Sequence, residues 1–246
     1  MQLSVDQAAL FLDLDGTLAA LAPRPEDIGP DPVRRAVLAH AQQALKGRVA
    51  IISGRSIADL DRILEEEVGS LSGVHGLERR AHGVVMRQAL PESFERARAA
   101  VAQFSRKHEG LQLEDKQLSV AVHFRAAPAL ASAVKAALET IAAAHGLTTQ
   151  HGHMVCELRP AGHNKGDALE AFMNETPFLG ARPIFVGDDI TDEDAFARAA
   201  ALGGAGVLVG SPRATKARWR LEHPRAVLQW IDDSVNAGAF NLEETA

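Results

Sequence analysis

A single cysteine, Cys156, excludes an intramolecular disulfide and any cysteine-rich zinc site. Such usage suits a reducing compartment. Tyrosine is absent and aromatic residues make up 4% of the chain, too few for the stacking platforms that hold single-stranded nucleic acid. A dominant charge is lacking too: 26 basic against 32 acidic residues leave a net charge of −6. That balance offers no general attraction for nucleic acid or an anionic membrane. No apolar run approaches the ~18 residues a membrane helix needs. The start of the chain lacks a basic leader, and Asp6, Asp13 and Asp15 interrupt its apolar stretch. The expectation is a cytoplasmic chain with neither nucleic acid nor membrane as partner.

What is present suffices for a large core. The chain has 246 residues, 46% hydrophobic and 24% charged, an ordinary globular balance. Residues 8–14 (ALFLDLD) read as a buried strand ending in carboxylates, after which Gly16 supplies a turn. Asp31 and Pro32 suit the cap and first position of a helix continued by VRRAVLAHAQQAL. Residues 49–52 (VAII) read as a second buried strand, closed by Ser53, Gly54 and Arg55, and Ser56-x-x-Asp59 opens the next helix. This rhythm predicts a parallel sheet covered on both faces.

The pattern changes near Leu90 and Pro91. Residues 92–108 and 129–145 read as helices, while 118–125 (LSVAVHFR) and 154–158 alternate as one-sided strands. From Pro160, Ala161 and Gly162 the first rhythm returns, with helices at 165–174, 191–201 and 224–235 and strands at 183–186 and 206–209. The expected fold class is α/β. A Rossmann-like parallel-sheet core with helices on both faces, residues 1–91 and 161–246, carries an inserted smaller α/β domain with an open sheet, residues 92–160.

Three strand ends carry polar groups: Asp13-x-Asp15-Gly-Thr17, Ser53-Gly-Arg55 and Gly187-Asp188-Asp189. Ligands of open parallel sheets bind outside the carboxyl ends of the strands, so the three can meet in one crevice, joined by Lys165 at a helix start. Carboxylates beside a lysine, with hydroxyl and amide donors, suit a hard divalent cation and a phosphate. Taken singly, DxDG is an Asx turn, Ser53 a helix entry and Lys165 a surface lysine. The ordered set points to chemistry.

DLDGT (13–17), Ser53, Lys165 and GDDITDED (187–194) resemble the four ordered motifs of the haloacid dehalogenase-like phosphatases. GVHGLE (73–78), LEDKQLSVAVHFR (113–125), ELRPAGHNKG (157–166) and FVGDDITDEDAF (185–196) are similar to the trehalose-6-phosphate phosphatases within that superfamily. Phe124 stands where many relatives have tyrosine, and His163 where an aliphatic residue is usual.

The resemblance implies Mg²⁺-dependent hydrolysis of trehalose 6-phosphate through an aspartyl-phosphate, in trehalose biosynthesis. It implies Asp13 as nucleophile and Asp15 as general acid and then base. Mg²⁺ would be held by Asp13, the main-chain carbonyl of Asp15 and Asp188, with Asp189 and Asp192 in an outer shell. Gly16, Thr17, Ser53, Gly54, Arg55, Asn164 and Lys165 are implied as substrate-binding. Residues 92–160 would be a cap, in which Glu114, Lys116, Arg125 and Glu157 meet sugar hydroxyls. His75 and Glu78 either shape the crevice mouth or order their turn, while His123 and Cys156 read as structural. The partner is a small sugar phosphate, and association with the synthase that makes it stays open. Two other readings remain. One is another sugar phosphatase of the sucrose-phosphate or mannosyl-phosphoglycerate type. The other is a non-catalytic sugar-phosphate sensor, which would not need both Asp13 and Asp15.

Overall fold

Residues Ala8–Leu12 are buried without interruption, and the fold places this strand inside an eight-stranded sheet. The computed structural model describes residues 1–152 and 154–242. The chain divides into two compact units, residues 1–86 with those from 164 onward, and residues 87–163. The crossings therefore fall at Met86/Arg87 and His163/Asn164, against the expected 91/92 and 160/161.

The first segment of the larger unit holds β1 (Gln2–Ser4), β2 (Ala8–Leu12), α1 (Pro32–Ala44), β3 (Val49–Ile52), α2 (Ile57–Leu64), β4 (Ser70–Gly73), β5 (Glu78–Ala81) and β6 (Val84–Arg87). The smaller unit holds α3 (Phe94–Arg106), β7 (Gln112–Asp115), β8 (Val120–His123), α4 (Ala131–His145), β9 (Thr148–Gly152) and β10 (Val155–Arg159). The larger unit resumes with α5 (Lys165–Met173), β11 (Arg182–Gly187), α6 (Glu193–Ala201), β12 (Ala205–Val209), β13 (Trp219–Leu221), α7 (Pro224–Ala237) and β14 (Ala239–Asn241).

The large sheet runs β13-β12-β11-β2-β3-β4-β5-β6, parallel from β13 to β4 and antiparallel where β5 joins β4. Successive strand residues point to opposite faces, so each strand feeds two cores. Leu10, Leu12, Val49, Ile51 and Val186 pack with Leu38 of α1, Leu60 of α2 and Ile231 of α7. Ala9, Phe11, Ile52 and Phe185 pack on the other face with Phe172 of α5 and Phe196 of α6. Helices on both faces explain why β2 and β3 are apolar at every position. The helix starts follow local chemistry. The Asp31 carboxylate accepts from the amides of Val33 and Arg34 at 2.8 and 2.9 Å, with Pro32 at the first position of α1.

The smaller unit is an antiparallel sheet ordered β7-β8-β10-β9. Val120, Val122, Cys156 and Leu158 pack with Val101 of α3 and Leu138 of α4. The opposite strand positions carry polar residues. The register lines up Glu114, Ala121, Glu157 and Gln150 in one row across all four strands.

Candidate active site

Leu12 of β2 pairs with Ile51 on one side and Val186 on the other, so three strands end level with one another. Asp13, Ser53 and Asp188 follow those ends. The Asp13 amide donates to the Val186 carbonyl at 3.0 Å, which holds the residue, 5% exposed, at the carboxyl end of β2. Lys165, the first residue of α5 and 2% exposed, brings its ammonium 2.9 Å from Asp13 Oδ2 and 2.6 Å from Asp192 Oδ1. Close packing allows that reach. A Cβ at Gly166 would come 2.7 Å from the Asp194 carbonyl, so only glycine lets α5 and α6 approach so near.

Asp192 also organises the turn after β11. Its Oδ2 accepts from the amides of Asp188 and Asp189, both at 2.9 Å. The Asp188 carboxylate lies directly against Gly16, where a Cβ would sit 2.1 Å from its Oδ2. Gly16 has φ +76°, the left-handed region, so glycine is required there on two counts. Ligand oxygens of Asp13, Asp188 and Asp192 all lie within 4.8 Å of one another.

Such crowding disturbs ionisation. Burial pushes Asp13 well above the usual carboxylate range, and Asp192, Asp188 and Asp15 add to it while Lys165 opposes. Burial and Asp192 push Asp188 up to about 7. Burial pulls Lys165 down, yet Asp13 and Asp192 together carry it above its ordinary value. With all three carboxylates ionised, one ammonium would leave an excess of two negative charges, a repulsion that adds to burial in raising Asp13 and Asp188. Asp188 Oδ1 is buried with no hydrogen-bond partner among the described residues, as is Thr17 Oγ1. An all-oxygen, acid-rich set with an unspent buried oxygen fits a hard divalent cation.

The Ser53 hydroxyl, in a residue 1% exposed, accepts the Arg55 amide at 3.3 Å. Beside it, the His75 ring lies over Gly54, so a Cβ there would meet Nε2 at 2.5 Å. Val74 and His75 both adopt positive φ, at 47° and 54°, and their amides donate to the Arg55 and Ser53 carbonyls at 2.9 and 3.0 Å. Backbone strain on a β-branched residue is tolerated where surroundings over-determine it. Glu78 accepts the Ile57 amide at the start of α2. The 73–78 turn thus clasps the 53–57 turn.

Residues 11–225 match the trehalose-phosphatase family. The chain belongs to that family. It is 38% identical over 232 residues to the trehalose-6-phosphate phosphatase of Escherichia coli K12, covering 91% of this chain and 85% of that one. A Sinorhizobium fredii protein named as a probable trehalose-phosphate phosphatase is 38% identical over 211 residues, 85% of this chain and 80% of that one. The solved structure of a trehalose-6-phosphate phosphatase related protein superposes with a TM-score of 0.79 at 25% identity, over 94% of this chain and 98% of that one. The protein is therefore a phosphomonoester hydrolase with the haloacid dehalogenase-like fold.

Within this trehalose-phosphatase, three expected site residues have protein partners of their own. Arg55, expected at the phosphate, grips Asp15 with Nε and Nη2 at 2.7 and 2.8 Å. Its remaining donors reach the Asp59 carboxylate and, at 2.9 Å, the Pro25 carbonyl. Two acids attract the guanidinium more strongly than open crevice does. Asn164, expected at the substrate, instead caps α5, accepting the Asp167 amide at 2.9 Å while its own amide donates to Asp167 at 3.1 Å. Asp189, expected in the outer shell, turns its carboxylate to the Ile190 amide at 2.7 Å and closes its own turn. Asp192, by contrast, contributes an oxygen to the acidic cluster itself.

In the smaller unit, Lys116 pairs with the buried Glu157 at 3.0 Å, and Glu114 with His123 at 2.8 Å. His123, read from sequence as structural, faces the same side as Glu114, a fact already written in the alternation of 118–125. Arg125 is exposed just beyond β8. Gln150 and Arg213 carry no mark in the sequence, and Asp59 only that of a helix start. Their relevance comes from tertiary placement: Asp59 shares Arg55 with Asp15, 44 positions away, Gln150 lies in register with Glu157, 7 away, and Arg213 reaches Asp188, 25 away. No helix among the described residues is long and apolar enough to cross a membrane.

Proposed function

We propose that this enzyme hydrolyses trehalose 6-phosphate to trehalose and inorganic phosphate, using Mg²⁺ and an aspartyl-phosphate on Asp13. The observation that carries the reading is the Asp13 carboxylate at the carboxyl end of β2, 2.9 Å from the Lys165 ammonium and beside the Asp188 and Asp192 oxygens. Family membership adds the substrate class.

Asp13 attacks phosphorus, the bond from phosphorus to the sugar oxygen breaks, and Asp15 gives that oxygen its proton. Water then attacks the acyl-phosphate phosphorus, its proton returns to Asp15, and phosphate leaves Asp13 as a free carboxylate. Lys165 offsets the charge that builds as two anions approach. The Thr17 hydroxyl, the Ser53 hydroxyl and the Gly54 amide bind phosphoryl oxygens. Asp13, Asp188 and the Asp15 main-chain carbonyl would hold Mg²⁺, with Asp192 behind them; once bound, it neutralises carboxylate and phosphoryl charge. In this reading the larger unit is the catalytic core and residues 87–163 form the cap, where Glu114, Lys116, Arg125 and Glu157 bind sugar hydroxyls.

Phosphate release from trehalose 6-phosphate, sucrose 6-phosphate, mannosyl-3-phosphoglycerate and nitrophenyl phosphate tests this. The expected result is the highest kcat/KM on trehalose 6-phosphate. Preference for either of the other sugar esters replaces the substrate but keeps the chemistry, and no release from any ester overturns both.

A further inference from the structure

Arg213 lies in the loop between β12 and β13, outside every stretch the sequence marked for chemistry. Its Nη2 donates to the main-chain oxygen of Asp189 at 2.8 Å and of Asp188 at 3.3 Å. Its Nη1 donates to the Glu193 carboxylate and, at 3.1 Å, to the Ala214 carbonyl. The other Glu193 oxygen accepts the Lys216 amide at 2.7 Å, so the acid that holds Arg213 is itself fixed at the start of α6.

Asp192 grips the same turn from within. Its Oδ2 takes the amides of Asp188 and Asp189. Three successive peptide groups are therefore tied: the one before Asp188 through its N–H, the one after it through both N–H and C=O, and the next through its C=O. With both peptide planes flanking its Cα anchored, Asp188 has little freedom except rotation of a carboxylate that already lies against Gly16.

We propose that Arg213 is a positioning residue for Asp188, holding its carboxylate in place for the divalent cation. The inference rests on the Mg²⁺ reading of the Asp13, Asp188 and Asp192 cluster. It also carries a sign that separates it from plain electrostatics. As a nearby positive charge, Arg213 repels a cation, so its removal would tighten Mg²⁺ binding. As a clamp it strengthens binding, so its removal loosens it. Lysine keeps the charge but cannot present the planar fork that spans two carbonyls and a carboxylate.

The test is calorimetric titration of Mg²⁺ into the metal-free wild type, Arg213→Ala and Arg213→Lys, with thermal melts confirming that each is folded. The expected result is a Kd for Mg²⁺ raised about tenfold or more in Arg213→Ala, in line with losses of groups that orient metal ligands. Arg213→Lys is expected to bind Mg²⁺ more weakly than wild type as well, and kcat at saturating Mg²⁺ should recover while KM for the sugar phosphate stays put. Unchanged or tighter Mg²⁺ binding in a folded Arg213→Ala overturns the clamp. If that variant does not fold, wild-type affinity in Arg213→Lys overturns it equally. Absence of Mg²⁺ binding by the wild type overturns the metal reading itself, a different failure from binding that ignores Arg213.

Discussion

Arg55 holds Asp15 through two arms of its guanidinium, at 2.7 and 2.8 Å, across 40 positions of sequence. The arginine is 8% exposed and also bonds Asp59 and the Pro25 carbonyl, so it fixes the direction of Asp15 rather than waiting for an anion. Both Asp15 oxygens accept from Arg55, so one of these contacts must open before Asp15 can pass a proton to the leaving oxygen, and the contact that stays aims it. Arg55→Ala is therefore expected to lower kcat on trehalose 6-phosphate about a hundredfold, with little change on nitrophenyl phosphate, whose leaving group needs no proton. Combined with Asp15→Asn it should add almost nothing, because both changes remove one function. A raised KM on both esters, with kcat kept, would return Arg55 to the phosphate.

Asp13→Asn keeps the volume but removes the attacking oxygen's charge. Turnover on every ester is expected to fall by about three orders of magnitude or more while the fold survives. In wild type quenched in acid during turnover, a phosphorylated species should appear that hydroxylamine cleaves. Retention of more than a few percent of activity by Asp13→Asn ends the covalent mechanism.

How far such roles were legible depended on where their partners lie. β2, β3 and β11 announced themselves because strands buried on both faces must be apolar at every position. Strands β5 (ERRA) and β6 (VVMR) at the sheet's open edge, and β7 (QLED) and β9 (TTQHG), did not. They pair through backbone hydrogen bonds and, Glu78 and Ala81 apart, bury little, so side-chain periodicity is silent there. The site divides in the same way. Asp13, Ser53 and Asp188 could be read because each follows an apolar strand. The diversion of Arg55 to Asp15, and the reach of Arg213 to Asp188, are set by tertiary distances that no local pattern encodes.

The excess of carboxylates at the crevice predicts a stability cost that metal relieves. In EDTA, Asp188→Asn is expected to melt higher than wild type by a few degrees, since it removes one of three crowded acids, worth about 1 kcal/mol per 2–4 °C at this size. Added Mg²⁺ should raise the wild-type melting temperature and leave that of Asp188→Asn nearly unmoved. EDTA should abolish activity, Mg²⁺ restore it, and Ca²⁺ support it poorly because of its looser, higher coordination. A lower melting temperature for Asp188→Asn in EDTA would mean that Asp188 serves the fold instead.

Cys156 faces the apolar core of the smaller unit, where burial, assisted by Glu139, pushes its thiol up to about 12. Reactivity follows the thiolate, so at pH 8 the native protein should resist iodoacetamide and take up one equivalent only on unfolding. Rapid alkylation of the folded enzyme would show that the α3–α4 layer opens readily.

The polar row of the smaller sheet decides between a trehalose enzyme and a general phosphatase. If Glu114, Lys116, Arg125 and Glu157 grip sugar hydroxyls, they touch nothing in nitrophenyl phosphate. Each alanine variant should then lose kcat/KM on trehalose 6-phosphate alone. Hydrogen bonds to charged groups are worth about 1.5–3 kcal/mol, and each 1.4 kcal/mol is tenfold, so losses of about tenfold to a hundredfold are expected. The pairing of Lys116 with Glu157 at 3.0 Å makes these two special, since removing the lysine takes a charge partner from a glutamate that is 4% exposed. Lys116→Ala should therefore also lower the melting temperature, and Lys116→Ala with Glu157→Gln should recover stability without recovering specificity. Glu114 needs a parallel control, because His123→Ala frees its carboxylate without removing it. If His123 only orients Glu114, His123→Ala should show a milder form of the same selective loss. Equal losses on both esters would mean that the row supports the fold, and wild-type behaviour in all four variants would leave it a solvated sheet face.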